Sequence, residues 1–466
     1  MDVRLAAAVT AGRAAGLISR RAGRGGGTAL PGVVAERVHP GLVRGLGRQL
    51  GRGRVLVTGT NGKTTTSRIL ASILNSAGVR TIHNREGSNL MRGIGSTLLA
   101  EARPDGVIRS ARETLGLFEV DEATLPAAAA ALDPTVLTVT NLFRDQLDRY
   151  GEVDTVFGFW SRALERMSPS ATLVLNADDP SVADLAELWT GPVQWFGLDD
   201  PSFATEERGA FDARWCRTCG GTFAYARRYF AHIGIWRCTD CGRQRAEPET
   251  SATMATIGET IATLSVSGLP ELRVPLTGMY NVYNALAAVA TARVLGLPNA
   301  AIVAGTASVQ AAFGRQEEII LEGRRLRLLL CKNPAGANEV LRLLATLPLE
   351  PDQRLGVALL LNDRFADGQD VSWIWDVDYE LAAGRAGHTW CGGDRADDIA
   401  LRIKYAGWPP PLAVEHTPSA LLDAMVRSTA PGDTLYVVPT YTAMLDLRAE
   451  LARRGAAGQF WERSDS

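Results

Sequence analysis

At 466 residues, with 46% hydrophobic and 21% charged content, the chain can bury a large core and by length divides into two or three domains. A formal charge of -2 argues against a protein that holds nucleic acid by a bulk positive field, while leaving room for a local basic patch. No run of about 18 uncharged apolar residues occurs, so no membrane-spanning helix is expected.

Residues 1–50 are rich in Arg, Gly and Ala and read as an N-terminal helical arm and connector, with a turn at Leu30-Pro31-Gly32. Arg4, Arg13 and Arg20 interrupt the apolar run that a targeting signal would need and fall on the polar side of an amphipathic helix. That helix either docks on its own domain or touches a membrane surface or partner. From residue 51 the pattern becomes strand, glycine loop and helix: Arg54 to Val57, then the loop, then Thr65 to Ala77 with Ile69, Leu70, Ile73 and Leu74 at helical spacing. Apolar runs at 117–120, 135–140 and 172–175, with helical stretches at 125–132 and 156–167, imply a doubly wound parallel sheet over residues 51–316. Residues 205–250 change abruptly to Cys, Arg and aromatics and read as an insertion. A strand pattern at Ala262, Leu264 and Val266 and a helix from Asn281 to Leu295 return to the first domain. A second α/β domain follows at 317–466, with strands at 325–330, 355–361, 388–391 and 434–438 and helices at 338–344 and 418–428.

The loop reads Val57-Thr58-Gly59-Thr60-Asn61-Gly62-Lys63-Thr64-Thr65-Thr66, with Val57 where the general phosphate-loop pattern has its first glycine. Between a hydrophobic strand and a helix, such a turn aims backbone N–H groups and a helix N-terminus at phosphate. Gly59, Thr60, Asn61, Gly62, Lys63, Thr64 and Thr65 are therefore the expected ATP cradle, Lys63 reaching the terminal phosphates and Thr64 holding Mg²⁺. Mg²⁺ needs one or two carboxylates. Glu119, at the end of a sheet strand, is the expected metal-facing acid; alternatively its acidic cluster caps the next helix.

Cys216-x₂-Cys219 and Cys238-x₂-Cys241 have zinc-ribbon spacing, and four thiolates close a tetrahedral site with no position for water, so the role is structural. Disulfides and free thiols are the alternatives, and the basic and aromatic Tyr225 to Phe230 also admit a nucleic-acid-binding ribbon. Cys331 and Cys391 lack metal spacing and suit a buried core.

Several separate stretches resemble the Mur ligase superfamily, the ATP-dependent ligases of peptidoglycan precursors and folylpolyglutamate. They are Gly59 to Thr64, Thr140 to Asp148, Asn176-Ala177-Asp178-Asp179, Asn281 to Ala288, and Gly314-Arg315 followed by Glu317. The chain departs from the usual pattern with Gln146, Tyr280 and Lys332 where histidines are common. At these points it is similar to the MurT-type branch, as are Asn84 to Asn89, Lys332 to Gly336, Leu361-Asn362-Asp363 through Gly368, Ser372 to Asp376 and Tyr441 to Leu445.

The resemblance implies a Mur ligase central P-loop domain with a parallel-sheet core and inserted zinc ribbon, followed by a C-terminal α/β domain. It also implies that Asn281, Asn284 and Arg315 join the ATP site, and that Lys63, Mg²⁺ and Arg315 stabilise the transferring phosphoryl. The reaction would convert the α-carboxyl of D-glutamate in the stem peptide of lipid II to an acyl phosphate, then to D-isoglutamine. No Gly-x-Cys-x-Gly nucleophile elbow surrounds Cys331 or Cys391, so ammonia is expected from a separate GatD-like glutaminase. An aspartate of Asp370-Val371-Ser372-Trp373-Ile374-Trp375-Asp376 would complete that partner's Cys-His arrangement, Asp376 being taken ahead of Asp370, although core tryptophans with a capping aspartate would give the same pattern. A cytoplasmic site at the inner membrane face follows from the lipid-linked substrate. The rival functions are a stand-alone amino-acid ligase and a zinc-ribbon nucleic-acid-binding ATPase.

Overall fold

The computed structural model describes residues 3–21, 30–84, 88–144, 153–204, 212–258, 260–309, 315–350 and 352–457, the side chains of 18–21, 315 and 316 excepted. The chain forms two compact units, one from residues 1–143 and 153–310, the other from 144–152 and 311–466.

In the first unit β1 (Arg54–Thr58), β2 (Arg80–His83), β3 (Thr114–Glu119), β4 (Val136–Val139), β5 (Thr172–Asn176) and β6 (Val193–Leu198) lie parallel. Their centres are continuous apolar runs such as Val55-Leu56-Val57, buried on both faces as strands between two helix layers must be. A hairpin of β7 (Phe223–Phe230) and β8 (Ile233–Cys238) precedes β9 (Thr250–Ile257), β10 (Ala262–Val266) and β11 (Leu272–Val274). Among the described residues the main sheet has nine strands in the order β11-β10-β9-β6-β5-β4-β1-β3-β2. β1 lies between β3 and β4, so the chain leaves it toward β2 on one side and later crosses to β4 on the other. The loop after β1 therefore opens at a switch point, where open α/β sheets bind ligands. Helix Met279–Val294 is buried nearly all round, because it packs between the sheet and helix Lys63–Ser76.

The N-terminal helix Val3–Arg21 docks on the first unit, the first of its two expected alternatives, with its Leu5, Ala8 and Val9 buried, as are Leu42, Leu46 and Leu50. One point departs from expectation. Leu30-Pro31-Gly32 is not a turn but the start of helix Leu30–Val38. Proline is tolerated there because a first helical turn leaves its N–H groups unpaired. Gly32 allows close packing: its N–H donates to Ser96 Oγ at 2.9 Å, and a Cβ would lie 2.3 Å from the Arg92 carbonyl.

The second unit holds β12 (Arg315–Leu321), β13 (Arg324–Leu329), β14 (Leu355–Leu360), β15 (Ala386–Gly392), β16 (Ala413–Glu415) and β17 (Thr434–Pro439), in the order β12-β13-β17-β14-β15-β16, with β12 antiparallel. The pleat sends Val357 and Leu359 into one core layer and Ala358 and Leu360 into the other.

Candidate functional site

Gly59 (φ 137°) and Gly62 (φ 85°) shape the loop after β1, and Gly62 starts helix Lys63–Ser76 from the left-handed region. The segment after β4 grips this loop. Asn61 N–H donates to Asn141 Oδ1 at 2.9 Å, Thr140 Oγ1 donates to the Asn61 carbonyl at 2.7 Å, and Phe143 N–H donates to Thr60 Oγ1 at 3.0 Å. Asn281 donates to the Thr277 carbonyl at 2.8 Å and Asn284 to Asn281 Oδ1 at 3.1 Å, placing Asn284 against Gly62. A Cβ on Gly62 would lie 1.9 Å from Asn284 Oδ1. Gly62→Ala is therefore expected to weaken binding of an ATP analogue about tenfold or more, since left-handed strain and clash each cost about 1–3 kcal/mol. Titration against the unaltered chain measures it, and an unchanged dissociation constant would contradict this geometry.

Lys63 is buried, and its Nζ donates to Glu122 Oε1 at 2.9 Å and to the Gly59 and Thr60 carbonyls. Burial pushes this ammonium down, but Glu122, Asp121 and Glu119 more than offset it and the net shift is upward. The direct partner of Lys63 is thus Glu122, which sequence reading had left inside an acidic cluster. Glu119, also buried, has its backbone clamped by Asn84, whose Oδ1 accepts from Glu119 N–H and whose Nδ2 donates to Glu119 O, both at 2.8 Å. Thr65 is buried and Thr64 half-buried. The Arg315 side chain and residues 145–148 lie outside the described residues.

The Cys216, Cys219, Cys238 and Cys241 sulfurs lie within 4.8 Å of one another, with Cys219–Cys238 at 3.4 Å and Cys216–Cys241 at 3.8 Å. Four thiolates on one Zn²⁺ stand about 3.8 Å apart, from a Zn–S bond of about 2.3 Å. The donor set therefore fits a metal ion. Backbone N–H groups, first that of Cys241, pull the Cys238 thiol down to about 6. The hairpin and the segment after it are anchored on the Asn176–Asp179 stretch, a role its sequence did not reveal. Asp178, at the end of β5, accepts from Arg245 Nε at 2.5 Å, Tyr283 OH at 2.6 Å and Leu198 N–H at 2.8 Å.

In the second unit, Asp370 Oδ1 accepts from Ser372 N–H at 2.8 Å, and hydrogen bonds from Ser372 hold its carboxyl below the usual range. Asp376 is exposed and lies 3.6 Å from Arg144, which clusters with the same unit. The two tryptophans differ: Trp373 packs against the core, whereas Trp375 is 51% exposed beside Tyr405, itself 71% exposed, at 5.8 Å between rings. Asn333 caps helix Pro334–Thr346 by accepting from Gly336 N–H. Asn362 ties β14 to Thr440 and Thr442, and Asp367 accepts from Thr442 N–H. Cys331 and Cys391 are buried, and burial pushes both thiols up to about 12.

A family model described as MurT ligase C-terminal matches residues 330–444, and one described as Mur ligase middle domain matches residues 57–213. The lipid II isoglutaminyl synthase (glutamine-hydrolyzing) subunit MurT of Streptococcus pneumoniae is 32% identical over 460 residues, covering 97% of this chain and 98% of the relative. The same subunit of Staphylococcus aureus is 30% identical over 434 residues, 93% of this chain and 94% of the relative. Among solved structures, a pseudomurein peptide ligase type C from Methanothermus fervidus superposes with a TM-score of 0.63 at 20% identity, over 87% of this chain and 79% of that one.

Proposed function

Because the chain belongs to the MurT family, with a Mur ligase α/β fold and a C-terminal α/β domain, we propose that it is the ATP-using ligase subunit of a lipid II isoglutaminyl synthase in peptidoglycan synthesis. Near-complete coverage of relatives bearing that name carries the reading. The short loop, with Lys63 embedded among Glu119, Asp121 and Glu122, supports it.

In this reading ATP lies along Gly59–Thr65, with Asn281, Asn284 and Arg315 completing its site. A D-glutamate α-carboxylate oxygen attacks the γ-phosphorus, ADP leaves, and ammonia displaces phosphate from the acyl phosphate to give the amide. Lys63, held in a fixed buried position, and Arg315 offset charge on the transferring phosphoryl. Mg²⁺, held by Thr64 and the acids at the end of β3, would neutralise the β- and γ-oxygens when bound. Glu119 stays the proposed metal-facing acid, now with Glu122 as the residue that sets Lys63. The four cysteines hold a structural zinc.

Ammonia is scarce near neutral pH, and glutamine hydrolysis needs an activated cysteine. Cys331 and Cys391, buried with thiols pushed up to about 12, cannot serve. A GatD-like glutaminase therefore supplies ammonia. Exposed Trp375 and Tyr405, beside exposed Asp370 and Asp376, give it an aromatic and acidic surface to dock on. The lipid-linked substrate places the complex at the cytoplasmic membrane face, and among the described residues no helix is long and apolar enough to cross a membrane.

The chain, its partner glutaminase, ATP, Mg²⁺ and glutamine are expected to shift lipid II by the mass of a hydroxyl exchanged for an amino group. An unchanged mass sinks the reading. Asp376→Asn is expected to lower glutamine-driven turnover about 10²-fold or more while sparing turnover driven by added ammonium. Equal loss with both nitrogen sources would remove Asp376 from the partner's site, and the same selective loss in Asp370→Asn alone would move the role there.

A further inference from the structure

The tip of the cysteine hairpin reaches into the first unit at the turn that follows β5. Trp236 Nε1 donates to the Ala177 carbonyl at 2.9 Å, and Gly234 N–H donates to the Asp178 carbonyl at 2.9 Å. Between the two strands, His232 is 0% exposed, with Nε2 3.4 Å from Asp179 Oδ1 and its ring 4.6 Å from that of Phe143. Phe230 continues the stack, 6.0 Å from Phe143 and 5.6 Å from Tyr283.

Asp179 is fully buried and does two tasks at once. Its Oδ1 accepts from Ser181 and Val182 N–H and caps the short helix Pro180–Ala183; its Oδ2 accepts from Leu142 N–H at 2.8 Å. The next N–H along the chain, that of Phe143, donates to Thr60 Oγ1 inside the phosphate loop, and Asn141, one residue before Leu142, holds Asn61. Two short steps therefore run from the hairpin to the loop: the first, His232 to Asp179, is a buried charge contact at 3.4 Å in which neither ring nitrogen makes a hydrogen bond, and the second, Asp179 to Leu142 and Phe143 to Thr60, is hydrogen-bonded. Buried polar networks of this kind transmit position because a shifted member leaves another unpaired.

We propose that His232 is a positioning residue for the phosphate loop: it fixes Asp179, and through the Leu142-Phe143 segment it carries the set of the cysteine hairpin to Thr60 and Asn61. Burial pushes the imidazole down and Asp179 more than reverses this; with no hydrogen bond at either ring nitrogen, the tie to Asp179 is one of charge and proximity. The arrangement gives the four cysteines a reason to sit where they do. Cys238 ends β8, the strand that also carries Gly234 and Trp236, so the knuckle that fixes the sulfurs also fixes the anchors. First-rank groups hold productive geometry only when the groups behind them are locked.

This inference rests on the nucleotide-binding reading above, and the unaltered chain tests that first: it must bind a non-hydrolysable ATP analogue with Mg²⁺. In the full chain, His232→Ala is expected to raise the dissociation constant for the analogue about tenfold and the KM for ATP with it. The KM for glutamine in the complete complex and the zinc content per chain should stay unchanged. His232→Gln, which keeps a polar side chain of similar reach toward Asp179, should recover much of the loss. Trp236→Phe keeps the ring but removes the bond to Ala177, and should weaken binding about threefold. Analogue binding within twofold of the unaltered chain in both His232 variants overturns the proposal. Loss of zinc or of the folded state in step with nucleotide affinity in every variant also overturns it, since His232 would then only hold the hairpin together.

Discussion

Lys63→Met is expected to lower ATP-dependent turnover about 10³-fold or more, because in the proposed mechanism the residue supplies fixed positive charge to a phosphoryl transfer that depends almost entirely on electrostatics and positioning. The same substitution carries a second, separable effect. Lys63 and Glu122 are both buried and meet at 2.9 Å. Removing one partner of a buried ion pair costs about 3–5 kcal/mol, whereas replacing both with neutral groups of similar shape is close to neutral. The single variant should therefore melt roughly 10 °C lower, taking about 2–4 °C per kcal/mol for a unit of this size. Lys63→Met combined with Glu122→Gln should regain most of that stability and none of the turnover. Calorimetry and ADP release on the three proteins check the two halves independently. A double variant that stays unstable would show that the ion pair is not what the lysine contributes to the fold, and appreciable turnover in either variant would remove Lys63 from the chemistry.

The strand, glycine loop and helix around Lys63 were legible because their signal is local: a strand, two glycines, a lysine and a helix follow one another, and each residue type has one backbone reason to be there. The parallel sheet was legible for a similar reason, since strands covered on both faces read as continuous apolar runs, Val55-Leu56-Val57 among them. The cysteine pairs announced themselves by spacing. What was not legible depends on contacts distant in sequence. Glu119 and Glu122 look alike in one acidic run, and only the path of the chain after β3 brings Glu122 to Lys63. His232 carries no motif, and its meeting with Asp179 requires the hairpin to fold back on the turn after β5. Pro31-Gly32 read as a turn by composition, yet a proline in a first helical turn and a glycine under a neighbouring helix are both tolerated there. The aromatic pair in Ser372–Asp376 shows the same limit. Alternate exposure of Trp373 and Trp375 is set by which side of the short helix meets the core, and composition does not say which.

Cys219→Ser combined with Cys238→Ser, one thiolate from each knuckle, is expected to take the chain from one bound zinc to none and to open the hairpin without melting the sheet. A structural zinc contributes on the order of 10 kcal/mol, comparable to the whole stability of an ordinary domain. The loss need not be global, because proteins open in local units, and the hairpin is a two-stranded ribbon of its own. Two-stranded ribbons are marginal in water without further support. Limited proteolysis should then cut within residues 212–249, and the sheet should still give a cooperative melt at a lower temperature. The consequence reaches further than the ribbon. With the hairpin open, Ala177 O loses the Trp236 donor and Asp178 loses Arg245, while burial already pushes the Asp178 carboxyl up with Arg245 in place. That acid must take up a proton or let water into the turn, and either outcome disturbs the neighbouring Asp179 that holds Leu142. Nucleotide affinity should therefore fall with the zinc, and readdition of zinc to a chelator-treated unaltered chain should restore both. A zinc-free chain that resists the protease and binds the analogue as tightly as before would show that the hairpin's own packing, not the metal, holds the turn in place.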